Sequence, residues 1–135
     1  LETSGFQLDC RVLQHEPLGF HDYNCLQMHA FVVVSDSGTL PEESSFFTSV
    51  EHPFPAVCIR TSTERPEALD KGCFVLAGID EHSLLQAVDV AVEMVKNGDN
   101  GIPVPNYTDE NVSTKVVKLI QSYTGVVNKM VWRKF

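Results

Sequence analysis

Ser37, Gly38 and Thr39 place two hydroxyls and a glycine between an apolar run, Phe31-Val32-Val33-Val34, and an acidic helical start, Leu40-Pro41-Glu42-Glu43. That order describes a strand delivering a tight turn to a helix N-terminus. The first-turn N–H groups of such a helix lack intrahelical partners and carry partial positive charge, which suits a phosphate or diphosphate. Dipole attraction contributes roughly 0.3–1 kcal/mol before any hydrogen bond is counted. An ordinary strand-to-helix turn capped by Ser or Asp has the same composition, so the triplet alone does not decide.

Glu43 lies one helical turn past Thr39, on the face that follows the turn. A carboxylate there can accept two hydrogen bonds from a ribose diol, or simply stand solvated near a helix N-terminus. Glu42 points elsewhere, because neighbouring residues do not share a helix face. Arg60 and Arg65 flank two threonines and a serine in Arg60-Thr61-Ser62-Thr63-Glu64-Arg65-Pro66-Glu67. A guanidinium fork matches phosphate, but Glu64 and Glu67 are equally able to pair with these arginines, and the residues leave both readings open. Tyr23, soon after Pro17-Leu18-Gly19, can stack on a base or pack at a helix start.

The five histidines show no metal spacing with carboxylates or cysteines. Cys10, Cys25, Cys58 and Cys73 lie about fifteen or more residues apart with no CxxC pair, so no zinc site or other metal is expected. No Ser–His–Asp or Cys–His arrangement can be built, and no cofactor is implied.

The elements that must position these groups alternate. Residues 10–14 read as a strand, 21–30 as a helix, and 31–35 as a continuous β-branched strand buried on both faces. A helix is expected over 40–47, with 46–55 a loop carrying Pro53 and Pro55. Residues 56–60 form the third strand and 65–71 a short helix, with Pro66 in its first turn and Gly72 at its C′ position. Residues 73–78 are the fourth strand. Asp80 caps a helix to about residue 97, with Leu84, Leu85, Val88, Val92 and Val95 on one face. A linker follows, then an amphipathic helix over 109–123 and an apolar, basic, helical end over 126–135. Strands alternating with helices mean a parallel sheet in an α/β fold, whose ligands lie beyond the carboxyl ends of the strands. Both candidate motifs fall at such ends.

At 135 residues the chain is one domain or part of one, and its 43% apolar content is enough for a core. A net charge of −8 argues against a nucleic-acid surface, which needs clustered Lys and Arg. No apolar run approaches the ~20 residues of a membrane span, so no membrane is expected. The absence of a visible signal peptide favours a reducing cytosol. The opening Leu1-Glu2-Thr3-Ser4-Gly5 reads as the tail of a helix from a longer protein.

Asp36-Ser37-Gly38-Thr39-Leu40-Pro41-Glu42-Glu43, followed by Arg60 and Thr63-Glu64-Arg65-Pro66-Glu67, resembles the non-hydrolysing UDP-N-acetylglucosamine 2-epimerases. Pro17-Leu18-Gly19-Phe20 and Gly78-Ile79-Asp80 keep that family's order, and the match covers residues 16–95. The tail, from Asn111-Val112-Ser113 through Ser122-Tyr123-Thr124 to Trp132, looks like the branch acting in capsule and O-antigen synthesis. Some members of that branch convert UDP-2-acetamido-2,6-dideoxy-L-talose to UDP-N-acetyl-L-fucosamine. The resemblance implies two Rossmann-like domains of the glycosyltransferase-B type. Residues 1–97 would be the later part of the C-terminal UDP-binding domain, 98–108 a linker and 109–135 a helical extension.

By the same resemblance Ser37, Gly38 and Thr39 would hold the diphosphate, Glu43 the ribose and Arg65 a phosphate. Leu18, through its backbone, and Tyr23 would border the uracil. The implied partners are a UDP-sugar, an N-terminal domain of the same enzyme and a second copy in a homodimer. The family eliminates UDP across C1–C2 and adds it back after C2 inverts. Its proton-transfer residues match no position in this chain, so no catalytic residue is assigned. The family usually has a second glycine where Thr39 stands, and the loop over 48–55 is longer than usual.

Overall fold

The computed structural model describes residues 7–134, so the expectation for the opening five residues lies outside it. Three parallel strands, β1 (Val33–Ser35), β2 (Ala56–Cys58) and β3 (Val75–Leu76), lie in the order β1-β2-β3. Helix α1 (Phe20–Met28) precedes β1. Helix α2 (Leu40–Ser49) crosses from β1 to β2, and α3 (Pro66–Asp70) crosses from β2 to β3. Helix α4 (Glu81–Lys96) follows β3, and a single 3-10 turn over Pro105–Tyr107 leads to α5 (Val112–Met130). This is the expected α/β fold with a parallel sheet.

Side chains alternate across β2, the central strand, and so divide the core into two. Ala56 and Cys58 face Leu40 and Phe47 of α2, with Ala68, Cys73 and Phe74. Val57 faces the other way, onto Ala77 and the Ala87 and Ala91 face of α4. Leu40 and Val57 are fully buried, and each contributes about 1.5–3 kcal/mol through removal from water.

Local signals explain several boundaries. The Asp80 carboxylate accepts from Ser83 N at 2.9 Å and caps α4 as expected. Gly72, at φ +70, closes α3: Cys73 N donates to Ala68 O and Gly72 N to Leu69 O, both at 3.0 Å. That pair of bonds is a Schellman end. Gly101 rests on this end so closely that a Cβ there would lie 2.6 Å from Gly72 O.

Several sequence expectations change. Residues 10–14 form no strand: Val12 N donates to Asp9 O, and the Asp9 carboxylate takes Arg11 N and Nε. A local turn therefore uses the backbone groups that pairing would need. Strand β1 is not buried on both faces, because it is the sheet edge and Val34 is 39% exposed. Helix α2 runs two residues past 47, and Phe54 of the following loop stacks on Phe47 with ring centroids 4.5 Å apart. On α4, Val92 is buried as expected, but Leu85 is exposed and Ala87 and Ala91 are buried as well.

Helix α5 continues unbroken through Gly125, and none of its residues is buried. Among the described residues, no helix is long and apolar enough to cross a membrane.

Candidate functional site

The register of β1 on β2 sets Ser35 opposite Cys58. Two residues further on, at the carboxyl ends of both strands, the chain reaches Ser37 and Arg60. A Cβ built on Gly38 would lie 3.8 Å from Arg60 Nη1, so the turn and this guanidinium face one another. Arg60 is held there by a forked pair with Glu64, Nη1 to Oε2 at 2.6 Å and Nη2 to Oε1 at 2.9 Å.

The turn is organised by its own hydroxyls. Ser35 Oγ accepts from Ser37 N at 3.0 Å, and Ser37 Oγ accepts from Thr39 N at 3.2 Å. Ser37 and Thr39 hydroxyls are 2.9 Å apart. Thr39 is the N-cap of α2 but makes no side-chain cap bond. Its hydroxyl donates instead to Glu43 Oε1 at 3.0 Å, one turn along the helix. The N-cap side chain is therefore not the capping group that an ordinary strand-to-helix turn would use. The hydroxyl that stands in place of a second glycine is used to hold Glu43.

The other carboxylate oxygen of Glu43 reaches α1. Gln27 Nε2 donates to Glu43 Oε2 at 2.8 Å and to Tyr23 Oη at 2.7 Å, and Tyr23 Oη–H reaches Glu43 Oε2 at 3.4 Å. Burial first, and then the Glu43 charge, push the Tyr23 phenol up from its ordinary value, so it keeps its proton. Five side chains, Ser37, Thr39, Glu43, Tyr23 and Gln27, thus form one connected polar network. Sequence reading named four of them as site residues. Gln27 was not among them, because an amide within a mostly polar, solvent-facing helix has no pattern that marks it as buried.

Arg65 is placed differently from Arg60. As the N-cap of α3 it turns its Nε to Glu42 Oε1 at 2.8 Å and so ties α3 to α2. Glu67 accepts from Tyr107 Oη–H. Burial and this bond push the Tyr107 phenol up to about 12. Of the pairings open in the sequence, Arg60–Glu64 forms, whereas Arg65 takes Glu42 and Glu67 takes a tyrosine. Leu18 lies in the extended chain ahead of α1, is 41% exposed, and makes no hydrogen bond to the network.

An open cleft of about 410 Å3 lies between α1 and α2, with Phe20, Tyr23, Glu43, Phe46 and Tyr107 on its walls. Its lining is mostly apolar and aromatic, with the Glu43 carboxylate at one side. Hydroxyls and a guanidinium at paired strand ends, with a carboxylate next to an aromatic cleft, form a set able to hold an anionic group linked to a diol and a planar ring.

A family model for UDP-N-acetylglucosamine 2-epimerase matches residues 2–121. The chain belongs to the UDP-N-acetylglucosamine 2-epimerase family. It is similar to the UDP-N-acetylglucosamine 2-epimerase of Methanococcus maripaludis, at 33% identity over 85 residues, which cover 63% of this chain and 22% of that protein. The Methanocaldococcus jannaschii protein of the same name is 29% identical over 85 residues, again 63% and 22% of the two chains. That of Bacillus subtilis is 33% identical over 76 residues, 56% of this chain and 19% of the relative. The chain thus spans about a fifth of the length of these curated relatives. Within the 2-epimerase family match lie both strand ends, the Ser37–Thr39 turn, Arg60, Arg65 and the α1–α2 cleft.

Proposed function

We propose that this chain is the UDP-binding part of a sugar-nucleotide C2 epimerase that converts UDP-N-acetylglucosamine to UDP-N-acetylmannosamine. The observation that carries the reading is the facing of Gly38 and Arg60 at the ends of β1 and β2, with Glu43 one turn away. Gly38, Ser37 and Thr39 hold the diphosphate, Arg60 and Arg65 supply positive charge to it, and Glu43 holds the ribose diol. Tyr23 and the Leu18 backbone border the uracil. Residues 1–97 belong to the nucleotide-binding domain, 98–108 link it to the helical extension over 109–135, and the rest of the enzyme supplies a second domain.

Elimination across C1–C2 builds charge on the departing diphosphate. Donors already fixed at that position stabilise the transition state more than the ground state, without reorganising when charge develops. The acid and base that move the C2 proton come from outside this chain, so the chain alone binds UDP without turnover. The enzyme works in the cytosol, as a homodimer, in surface polysaccharide synthesis.

Similarity of the tail from Asn111 to Trp132 to the capsule and O-antigen branch favours a second substrate of the same class, UDP-2-acetamido-2,6-dideoxy-L-talose. Incubating the intact protein with each UDP-sugar in deuterated water separates the two. Deuterium at C2 of one sugar identifies the substrate. Exchange with neither would replace the epimerase reading: with acceptor-dependent sugar transfer by that of a glycosyltransferase, and without any turnover by that of a non-catalytic nucleotide-sugar binding module.

A further inference from the structure

Gln27 is the one buried residue of α1, at 5% exposure, on a helix whose other side chains are largely in solvent. Its amide nitrogen serves two acceptors, Glu43 Oε2 and Tyr23 Oη. A carboxylate oxygen only accepts, so the nitrogen must be the atom facing Glu43. The amide oxygen is then left buried without a hydrogen-bond partner. Folding gains nothing from that oxygen, because an unpaired buried carbonyl costs free energy and a methionine of similar size would bury there without one. The sequence therefore holds an amide where stability alone favours an apolar side chain. What the amide delivers is its pair of N–H donors.

One of those donors goes to Glu43 Oε2 and the other to Tyr23 Oη, which itself reaches the same carboxylate oxygen. Thr39 fixes Oε1 of Glu43 from the α2 side, and Gln27 with Tyr23 fixes Oε2 from the α1 side. A carboxylate gripped at both oxygens stays in one plane and does not swing towards the neighbouring cleft. Oε1 keeps a lone pair for a further donor, and at Oε2 the long 3.4 Å contact from Tyr23 is the one that a ligand hydroxyl can replace. We propose that Gln27 is a positioning residue, which orients the Glu43 carboxylate so that its remaining lone pairs meet both hydroxyls of a ribose. The inference rests on the assignment of Glu43 to the ribose. It adds that discrimination for a vicinal diol is set from α1 by a residue that does not touch the nucleotide.

The test compares calorimetric affinities of the intact protein for UDP and for 2′-deoxy-UDP, in the wild type, Gln27→Met and Tyr23→Phe. The wild type should prefer UDP at least about tenfold, the weight of one hydrogen bond to a charged acceptor. Gln27→Met should bring the two ligands within about threefold of each other while its melting temperature stays at or above that of the wild type. Tyr23→Phe, which keeps Gln27 on Glu43, should retain most of the preference and serves if the methionine variant folds poorly. Retained preference in Gln27→Met, or preference lost in Tyr23→Phe alone, overturns the role of Gln27 and leaves Glu43 on the ribose. A wild type that does not distinguish the two ligands overturns the Glu43 assignment itself.

Discussion

Gly38 and Arg60 face each other across the ends of neighbouring parallel strands, with 3.8 Å between a Cβ built on the glycine and the guanidinium Nη1. That spacing is ordinary van der Waals contact. Gly38 also lies outside the positive-φ residues, so the fold itself does not require glycine there. Gly38→Ala should therefore melt within a degree or two of the wild type. Its affinity for UDP should nevertheless fall by about tenfold or more, because a methyl would stand where phosphate must approach backbone N–H groups. Calorimetry with UDP beside a thermal melt separates the two effects. A stability loss that matches the affinity loss would count against a ligand at this turn.

Ser37→Ala and Glu43→Gln should each weaken UDP binding in the intact protein by about 1.5–3 kcal/mol, the value of one hydrogen bond to a charged partner. The two losses should differ in kind. Ser37→Ala should weaken inorganic pyrophosphate as well, whereas Glu43→Gln should spare it. Titration with both ligands reads this directly, and unchanged affinity in both variants would remove the site assignment.

The two arginines should also separate. Arg60 stands at the turn, while Arg65 spends its Nε on Glu42. Arg60→Met should cost at least about tenfold in UDP affinity, with a shallower salt dependence. Arg65→Met should cost less in affinity and more in the melting temperature of the α2–α3 pairing. An equal loss of affinity in both would mean that Arg65 contributes to the diphosphate as much as Arg60 does.

Asp80 gives a pH signature of the fold, apart from the site. Backbone and hydroxyl donors from Ser83 hold its carboxyl below the ordinary 3.8. A carboxyl with a depressed folded-state value stabilises above its unfolded value and loses that contribution as pH falls through the folded one. Asp80→Ala should therefore melt lower than the wild type at pH 7. The difference should close as pH drops below the ordinary carboxylate range, as thermal melts across pH 2.5–7 would show.

Much of the fold could be read from residue order, and the reasons for success and failure are local. Pro66 and Gly72 bracketed α3, and Asp80 started α4, because caps and helix ends depend on neighbouring residues alone. The β-branched run before Ser35 gave a strand but not its place, because whether a strand is central or at an edge depends on partners that the local sequence does not name. A break between two terminal helices was expected near Gly125, yet a glycine inside a helix costs only about 1 kcal/mol and α5 runs through it.

At the site, Ser37, Thr39, Glu43 and Tyr23 were candidates by type and spacing and received their roles from the family resemblance, and the structure joins them in one hydrogen-bonded group. The choice between Arg60 and Arg65 could not be made that way. The Ser35–Cys58 register puts Arg60 level with Ser37, and register is a property of the pair of strands. Gln27 was likewise invisible as a site residue, since its burial follows from how α1 meets Glu43.

The most direct measurement is a crystal structure of the intact protein with UDP bound. The account predicts the diphosphate within hydrogen-bond distance of the turn over residues 37–39 and of Arg60, with the ribose hydroxyls on Glu43. UDP bound away from the carboxyl ends of β1 and β2 would contradict it.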